Sequence, residues 1–381
     1  MSNTLTGLIP TIYEGLDVVS RELTGLIPSV SLFPGAERVA KNQTVTFPVV
    51  PAYAAVDITP AATGPDPSAG SIGNDTLTIT KSRGVPFFWE GDEQLGLSGG
   101  YTTIFRDQVA QAIRTLTNEM ESDLAGLHIY ASRAYGTAGT TPFASTLADT
   151  AALKKLLSDN GAPQIDLQMV VDTTAGEALR NLTQLTKANE AGSDEMLRRG
   201  ILMDVHGFAL RESAGIKTFT KGTAASATTN AAGYAIGATT ITLASAGTGT
   251  LLAGDAITFA GDTNKYVVAT GDADVSNGGT IVLAAPGLRQ ALAASAIAIT
   301  VVANSARNMA FSKSAITLAT RVPAMPLGGD SADDLVIVTD AQSGISFQVA
   351  LYRQYKRVAF EVGAAWGVKC TKTEHTAILL G

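Results

Sequence analysis

The segment GLSGG at residues 96–100 matches the G-x-S-x-G pattern around the nucleophile of many serine hydrolases. Such a serine needs a buried strand directly before it, whereas the preceding GDEQLGL is charged and interrupted by glycine. Of the histidines, only His206 and His375 lie well downstream of Ser98 and could complete a triad. We therefore interpret the segment as the start of a helix, whose exposed amides are capped by Ser98 or a following threonine. A hydrolase that uses Ser98 stays an alternative.

The turn DADVSNGG imitates the first part of a calcium-binding loop, because Asp272, Asp274 and Ser276 occupy ligand positions one, three and five. The imitation fails at two positions that decide calcium binding. The sixth position is Asn277 instead of glycine, and the twelfth is Leu283 instead of a bidentate glutamate. We interpret the turn as a solvated corner between two strands.

No metal or cofactor is expected elsewhere in the chain. The three histidines, His128, His206 and His375, have no partner at helical spacing. The single cysteine, Cys370, is interpreted as a small buried apolar residue. Neither of the two common glycine-rich phosphate-binding motifs is present.

The composition predicts a globular protein without strong affinity for nucleic acid or membranes. Hydrophobic residues make up 45% of the 381 residues, enough for sizeable cores, and the net charge is −7. An acidic chain does not favour the concentrated Lys and Arg of a surface that follows nucleic-acid phosphates. The start MSNTLTGLIP lacks the features of a signal peptide, and the uncharged run from Gln290 to Ala306 is too short and too polar for a membrane helix.

The first 80 residues predict an arm followed by a long hairpin. LTGLIP occurs twice, at residues 5–10 and 23–28, around a short helical pattern, so we expect an arm that packs on another surface. TVTFPVV and DTLTITK alternate apolar and polar residues like strands, and the segment between them is rich in Pro, Gly, Ala and Ser. Because a two-stranded ribbon is marginally stable alone, we expect this hairpin to lie on a neighbouring molecule.

A long helix is predicted from Tyr101 to about Arg133. Its apolar residues recur every three or four positions and are Phe105, Val109, Ile113, Leu116, Met120, Leu124 and Leu127. At about 1.5 Å per residue the helix would be roughly 50 Å long, so it must serve as a spine for the fold. We interpret Glu119, Glu121 and Asp123 as a solvated face of this helix and not as catalytic acids.

The remaining chain predicts a mixture of helices and strands, and hence an α+β protein. TLADTAALKKLLSDNGAP predicts a helix ended by Gly161, and LQMVVDTTAGEALRNLTQL predicts a strand, a turn and a helix. Five short alternating runs follow, namely TTITLAS, DAITFAG, KYVVAT, GTIVLA and AIAITVVA. A helical pattern is expected at ARNMAFSKSAITLATR, and the tail SGISFQVALYRQYKRVAFEVGAAWGVK alternates like strands.

The five runs predict one small β-barrel domain. Their apolar residues fall on one face of each strand by period two and are Ile241, Leu243, Ile257, Phe259, Val268, Ile281, Leu283, Ile297, Ile299 and Val301. We expect Thr218 and Ala303 to lie close together, which would make the segment between them a self-contained insertion.

The order of arm, hairpin, spine helix, α/β domain and strand-rich tail resembles that of the major capsid proteins of tailed double-stranded DNA phages, which have the Hong Kong 97 fold. GFALRESAG at residues 207–215, AFSKSAITLATR and SGISFQV resemble more specifically the coat proteins of the Salmonella podophages, whose capsid fold carries an inserted β-barrel domain. The resemblance implies a N-terminal arm (1–40), an extended hairpin (41–90), a spine helix and peripheral domain (91–146), an axial domain in two parts (147–217 and 304–340), the inserted barrel (218–303) and C-terminal peripheral strands (341–381).

The resemblance also implies a structural protein and not an enzyme. Such a chain self-assembles into the hexamers and pentamers of an icosahedral virion capsid, and it is made in the cytoplasm of the host bacterium. Its implied partners are further copies of itself, a scaffolding protein, a portal protein and, optionally, a decoration protein. The shell would enclose DNA without sequence-specific binding, in keeping with the acidic balance of the chain.

Asp272 and Asp274 are the candidate inter-subunit contacts, because the turn that carries them is the longest of the predicted barrel and its side chains are expected to be free for a basic partner. The alternative function is a phage or bacterial surface protein whose β segment binds carbohydrate. The candidates for the aromatic platforms that such binding needs are Tyr234, Phe259 and Tyr266.

Overall fold

The computed structural model describes residues 25–49, 73–96, 101–186, 204–340 and 344–381, together with Ala55 and Pro60. The chain combines helices with two large sheets, so the predicted α+β class is confirmed. The helices are α1 (Gly91–Gly96), α2 (Tyr101–Gly126), α3 (Ala148–Asp159), α4 (Thr173–Asn181) and α5 (Thr183–Thr186). The strands are β1 (Ser31–Val39), β2 (Thr44–Val49), β3 (Gly73–Thr78), β4 (Lys81–Glu90), β5 (Arg133–Tyr135), β6 (Leu167–Val171), β7 (Phe208–Glu212), β8 (Thr218–Phe219), β9 (Thr240–Leu243), β10 (Ala256–Phe259), β11 (Lys265–Thr270), β12 (Gly279–Leu283), β13 (Ile299–Val301), β14 (Ser305–Ser312), β15 (Ile316–Pro323), β16 (Asp334–Thr339), β17 (Ser346–Gln354), β18 (Arg357–Cys370) and β19 (Thr376–Leu380).

The spine helix α2 packs against β4 and β18 of a six-stranded sheet. The sheet has the order β1-β15-β18-β17-β16, and β4 pairs along β18. All seven apolar residues predicted for the buried stripe of the helix are buried, and the ring of Phe105 lies 4.7 Å from that of Phe360. The helix ends at Gly126, earlier than predicted, because the chain continues as a 3-10 turn and then enters β5 at Arg133. Its 26 residues give a length of about 39 Å.

The second sheet has eleven strands, in the order β13-β10-β11-β5-β19-β14-β6-β7, with β12 joined to β11, β9 joined to β12 and β8 joined to β14. The predicted strand, turn and helix after α3 are confirmed as β6 and α4, with Asp172 capping the helix by accepting a hydrogen bond from the amide of Ala175 at 3.3 Å. Gly161 follows α3 with φ +77°, as expected of a residue that ends a helix.

The helix predicted at ARNMAFSKSAITLATR is wrong, since these residues form β14 and β15. β14 is covered on both faces: Met309 and Phe311 face the core beneath the spine helix, and Ala310 between them faces a second core around α3 and α4. A strand buried on both faces loses the period-two alternation that identifies strands, which explains why the sequence pattern favours a helix here.

The predicted hairpin is confirmed in its strands, because β2 and β3 pair in antiparallel fashion from Thr44 opposite Thr78 to Val49 opposite Gly73. Its tip lies mostly outside the described residues. The C-terminal ends of the proposed arm (1–40) and of the proposed hairpin segment (41–90) belong to the six-stranded sheet instead. In that sheet β1 runs parallel to β15, and β4 pairs along β18. Both strands carry apolar side chains that fill this core, among them Leu32, Val85 and Phe87.

The segment between β8 and β13 contains the five predicted strands, β9 to β13, and most of their predicted inward residues form one buried cluster, with Ile297 and Val301 at its margin. Its two ends lie together, because β8 pairs with Ser305 and Ala306 at the start of β14. It is also joined to the rest of the fold, since Lys265 and Tyr266 of β11 pair with Ala134 and Arg133 of β5. Self-contained folding of this segment stays a prediction.

Candidate assembly surfaces

The hairpin joins the body through its base, defined here as residues 39–45 and 75–81. Leu77 and Ile79 are buried against Val39, Ala319 and Ala365. Directly after β3, two backbone hydrogen bonds join the two sides of the hairpin base. The amide of Ile79 donates to the carbonyl oxygen of Gln43, and the amide of Asn42 donates to the carbonyl oxygen of Ile79, both at 2.9 Å. The hairpin therefore leaves the body in a fixed direction.

Two residues of β18 complete the seat of the hairpin. The ammonium of Lys369 pairs with the carboxylate of Asp75 and donates to the carbonyl oxygen of Thr76 at 2.8 Å. Two residues earlier, a Cβ atom on Gly367 would lie 2.2 Å from the carbonyl oxygen of Thr78. Only glycine leaves room for the hairpin backbone to approach β18 this closely.

The spine helix holds the hairpin from the other side. Lys81 donates to Glu119 and to Asp123, with both Nζ–oxygen distances at 2.8 Å, and Asp123 also accepts from the indole of Trp366 at 2.8 Å. Burial lowers the pKa of Lys81, but its hydrogen bonds and charge interactions with Asp123 and Glu119 outweigh this, so the pKa is raised overall. The lysine stays protonated at neutral pH.

Glu121 lies between these two acids in the sequence but is 3% exposed. Its carboxylate accepts the consecutive backbone amides of Gly25, Leu26 and Ile27 at 3.0, 2.7 and 3.1 Å. It also accepts the hydroxyl of Ser213 at 2.7 Å. The carboxylate thus fixes the N-terminal segment, residues 25–30, to the middle of the spine helix.

Interpretation of the three acids as a solvated helix face is therefore wrong. Glu119 and Asp123 have side chains only 30% and 22% exposed and bind the hairpin base, while Glu121 is buried on another face of the helix. The physical reason is their spacing: residues four apart share a helix face, and the residue midway between them points elsewhere.

The motif GFALRESAG forms β7 and the turn after it, at the point where the N-terminal segment meets the eleven-stranded sheet. Arg211 donates to the hydroxyl of Ser29 at 3.0 Å, and Glu212 pairs with Arg180 of α4. A Cβ on Gly25 would lie 2.4 Å from the carbonyl oxygen of Glu212. The motif is therefore a structural junction among three elements.

The loop with the candidate contacts is more ordered than the sequence suggested. Asp272 is half-buried and accepts the amide of Asp274 at 2.8 Å. Asp274 is exposed and accepts the hydroxyl of Ser276 at 2.6 Å and the side-chain amide of Asn277 at 2.8 Å. The hydrogen bonds from the hydroxyl and the amide of Ser276 hold the pKa of Asp274 below its usual value. The expectation of free side chains is thus wrong, because both carboxylates cap their own turn; their role between subunits stays a prediction.

The candidates for chemistry are not brought together. Ser98 lies outside the described residues, and the segment before it is the short helix α1, not a strand. No cluster of three or more His, Cys, Asp or Glu that could hold a metal occurs in the part of the chain that the structure describes.

Burial raises the pKa of Cys370 to about 11, so its thiol is protonated at neutral pH. Among the described helices, none is long and apolar enough to cross a membrane.

Two of the three predicted aromatic platforms for carbohydrate, Phe259 and Tyr266, are buried inside the inserted segment. Phe259 and Tyr266 are 1% and 0% exposed, and their rings lie 5.8 Å apart inside the cluster. The hydroxyl of Tyr234 donates to Asn230 at 2.6 Å and accepts the amide of Thr242 at 2.8 Å, so its polar end is satisfied internally. These side chains stabilise the domain and leave no stacking surface at Phe259 or Tyr266.

Comparison with known proteins gives matches among solved structures only. No family model matches the chain, and no curated protein matches it. The capsid of cyanophage P-SCSP1u matches with 12% identity over 94% of this chain and 88% of that chain, with a TM-score of 0.49. A structure from Mycobacterium phage Che8 matches with 13% identity over 89% and 85%, with a TM-score of 0.47. The mature capsid of bacteriophage PhiM1 matches with 12% identity over 94% and 87%, with a TM-score of 0.44.

Proposed function

We propose that this chain is a major capsid protein with the Hong Kong 97 fold, which self-assembles into the icosahedral shell of a tailed double-stranded DNA phage. The observation that carries the proposal is the hairpin. Its base is fixed by a buried cluster, a lysine on each side and a backbone approach at Gly367, whereas among the described residues its two strands pair only with each other. A ribbon mounted so firmly, whose described part has no third strand paired to it, is suited to lie on another molecule.

A second copy of the same chain is the simplest partner for such a ribbon, because repeated use of one contact between identical subunits closes into a symmetric assembly. The proposal includes hexamers and pentamers as capsomers, assembly around a scaffolding protein and a portal at one vertex. It also includes synthesis in the bacterial cytoplasm and a purely structural role. The order of elements along the chain supports these finer points, since it is the order on which the resemblance to phage capsid proteins rests.

Electron microscopy of the purified full-length chain tests the proposal directly. Closed shells, tubes or capsomer rings are the expected particles. A monodisperse monomer under every assembly condition, with or without co-expressed scaffolding protein from the same phage, would contradict it. Sugar binding or ester cleavage by that monomer would instead support the carbohydrate-binding or hydrolase alternative.

Hydrogen exchange should show that the hairpin is ordered by its neighbour. We expect the amides of β2 and β3 to exchange at least about tenfold more slowly in assembled particles than in the unassembled chain, because local opening of an unsupported ribbon is easy. Amides of β18, which is paired on both edges, serve as the internal control and should be protected in both states. Equal protection of the hairpin in both states would contradict the prediction.

Denaturing electrophoresis of mature particles should give a single band at the monomer mass of 39.2 kDa. The chain has no lysine between Asn42 and Thr80, so the hairpin offers no amine for an isopeptide crosslink. At its base, Lys81 is held protonated by two carboxylates, which removes its nucleophilic lone pair. A ladder of covalent multimers would refute this prediction, and loss of the ladder in Lys41→Arg would then identify the remaining lysine as its source.

We propose that Asp272 and Asp274 contact a basic surface on a neighbouring capsomer. They are the two acidic residues of the inserted segment that are not buried, since Asp255 and Asp262 are 0% and 7% exposed. Changing both to Asn removes the charges but keeps an oxygen for the turn. We expect assembled particles to dissociate at lower denaturant concentration while the isolated subunit unfolds as before, and the difference to vanish at high salt. Asp92→Asn together with Asp107→Asn, which alters two exposed acids of α1 and α2, is the charge-matched control. Unchanged particle stability would exclude the contact.

A further inference from the structure

A cavity of 210 Å³ lies where the end of the spine helix meets the chain that enters and leaves the inserted segment. Its lining includes His128 from the turn after α2, Lys217 and Phe219 from the entering chain, and Arg307 from β14. No acidic residue lines it. The cavity therefore has a positive lining without a counter-charge of its own.

Arg307 is the central group of this cavity. The residue is 2% exposed, and all three of its guanidinium nitrogens lack a hydrogen-bond partner. Burial lowers the pKa of Arg307 to about 10, although the charge of Asp255 acts in the opposite direction, so the side chain is still charged at neutral pH. The carboxylate of Asp255 is engaged elsewhere, because it accepts the amides of Gly222 and Leu252 at 3.0 and 2.7 Å.

The surroundings of Arg307 favour a ligand in the plane of the guanidinium. Its Cζ lies 5.1 Å from the centre of the Phe219 ring, which covers one face of the group. The N–H donors of a guanidinium lie in its plane and form a fork that matches two oxygens of one anion. A buried charge with no partner is among the most costly features of a folded protein, and here every nitrogen of a guanidinium group that lines the cavity is without a hydrogen-bond partner.

His128 provides a second contact point. Its Nδ1 lies 3.0 Å from the carbonyl oxygen of Ala125, whereas its Nε2 is buried and has no partner. Burial lowers the pKa of His128, and the charge of Arg307 lowers it further. An anion between the two side chains would reverse this effect and make Nε2 a donor. Lys217 is exposed and adds positive charge at the rim.

We propose that this cavity binds a small oxyanion of the size of inorganic phosphate, with the guanidinium of Arg307 as its main ligand. The bound anion would join the spine helix to the two chain segments that carry the inserted segment, β8 and β14, and would restrict rotation of that segment against the rest of the fold. The assignment rests on the buried lining and not on the proposed capsid function. An acidic side chain of another subunit could satisfy the same donors, and the experiment separates this source from a free anion.

Thermal unfolding of the unassembled full-length chain tests the site, with inorganic phosphate increased from zero to about 50 mM and sodium chloride adjusted to keep the ionic strength constant. We expect the unfolding temperature to rise saturably, by about 2 °C or more. Arg307→Met should remove this response while unfolding at the same or a higher temperature without phosphate, because it replaces an unpaired buried charge by an apolar chain of similar length. Lys217→Ala should increase the phosphate concentration for half-maximal effect several-fold.

Arg114→Met, which alters an exposed arginine of the spine helix, is the matched control and should keep the full response. If Arg307→Met does not fold, Lys217→Glu at the exposed rim replaces it as the test. This variant should show a smaller rise of the unfolding temperature with phosphate than the natural chain does. A midpoint that depends on ionic strength alone, or an equal response in all variants, would overturn the proposal. No phosphate response together with failed assembly of Lys217→Glu would overturn it in favour of a carboxylate from a neighbouring subunit.

Discussion

Replacement of Glu121 by alanine is expected to destabilise the folded chain by about 3 kcal/mol or more, although the residue touches no ligand. The change removes the acceptor of three consecutive backbone amides and one hydroxyl. These donors are buried, and each one left without a partner costs about 1–3 kcal/mol. Denaturant unfolding of the purified chain measures the loss, and hydrogen exchange at Gly25, Leu26 and Ile27 should show that the N-terminal segment is released first.

Glu119→Ala is the matched control, because it removes a carboxylate two residues away on the partly exposed face of the same helix. Its expected cost is below about 1 kcal/mol, as is usual for exposed ion pairs. Equal effects of the two substitutions would contradict the special role of Glu121.

The pH dependence gives an independent check on Glu121. Burial raises its pKa, and the hydrogen bonds from Ser213 and the backbone amides oppose this only in part. The folded chain therefore binds the proton more tightly than the unfolded chain does. The stabilisation from this difference is complete below the ordinary glutamate pKa of about 4.3 and is lost as the pH rises through the raised value. Relative to Glu121→Gln, the natural chain should lose stability over that interval.

The sequence predicted those elements that have one buried face. The stripe of the spine helix and the inward residues of the five inserted strands were found because each element alternates between core and solvent at a fixed period. The same argument failed for β14 and β15, where both faces are buried and no period remains. Their pairing with β19 and β18, far along the chain, decides their conformation, and local sequence does not record it.

The role of Glu121 was missed although the sequence contained a signal for it. The core positions of the spine helix include Leu116 and Met120. Thr117 directly follows the first of these, and Glu121 directly follows the second. An apolar stripe on a helix is about 100° wide, so these two positions lie at its edge. Both are in fact buried, at 4% and 3% exposure. A charged residue at such an edge has to find buried hydrogen-bond partners, which here come from residues 25–27, outside any local pattern.

Gly367→Ala is expected to have the largest effect on the hairpin. The new methyl group would lie 2.2 Å from the carbonyl oxygen of Thr78 and 2.9 Å from a methyl group of Leu77, distances that no real Cβ contact tolerates. The close approach is to backbone, so relief requires β3 to move away from β18 and the cluster around Leu77 and Ile79 to open. Overpacking of this kind costs about 1–3 kcal/mol, and lost burial at the base adds to it.

Gly363→Ala is the control that separates a steric clash at Gly367 from a general destabilising effect of alanine in β18. It lies four residues earlier in β18, and its added Cβ would meet Pro323 at 3.4 Å and the carbonyl oxygen of Arg83 at 3.6 Å, which are ordinary contacts. We expect Gly363→Ala to unfold and assemble like the natural chain. Gly367→Ala should expose the hairpin base to limited proteolysis in the unassembled subunit and prevent shell formation, because the hairpin can no longer leave the body in the direction set by its seat. Normal particles from Gly367→Ala would show that the hairpin's direction is set by the neighbouring subunit and not by its own body, and the observation that carries the capsid proposal would lose its force.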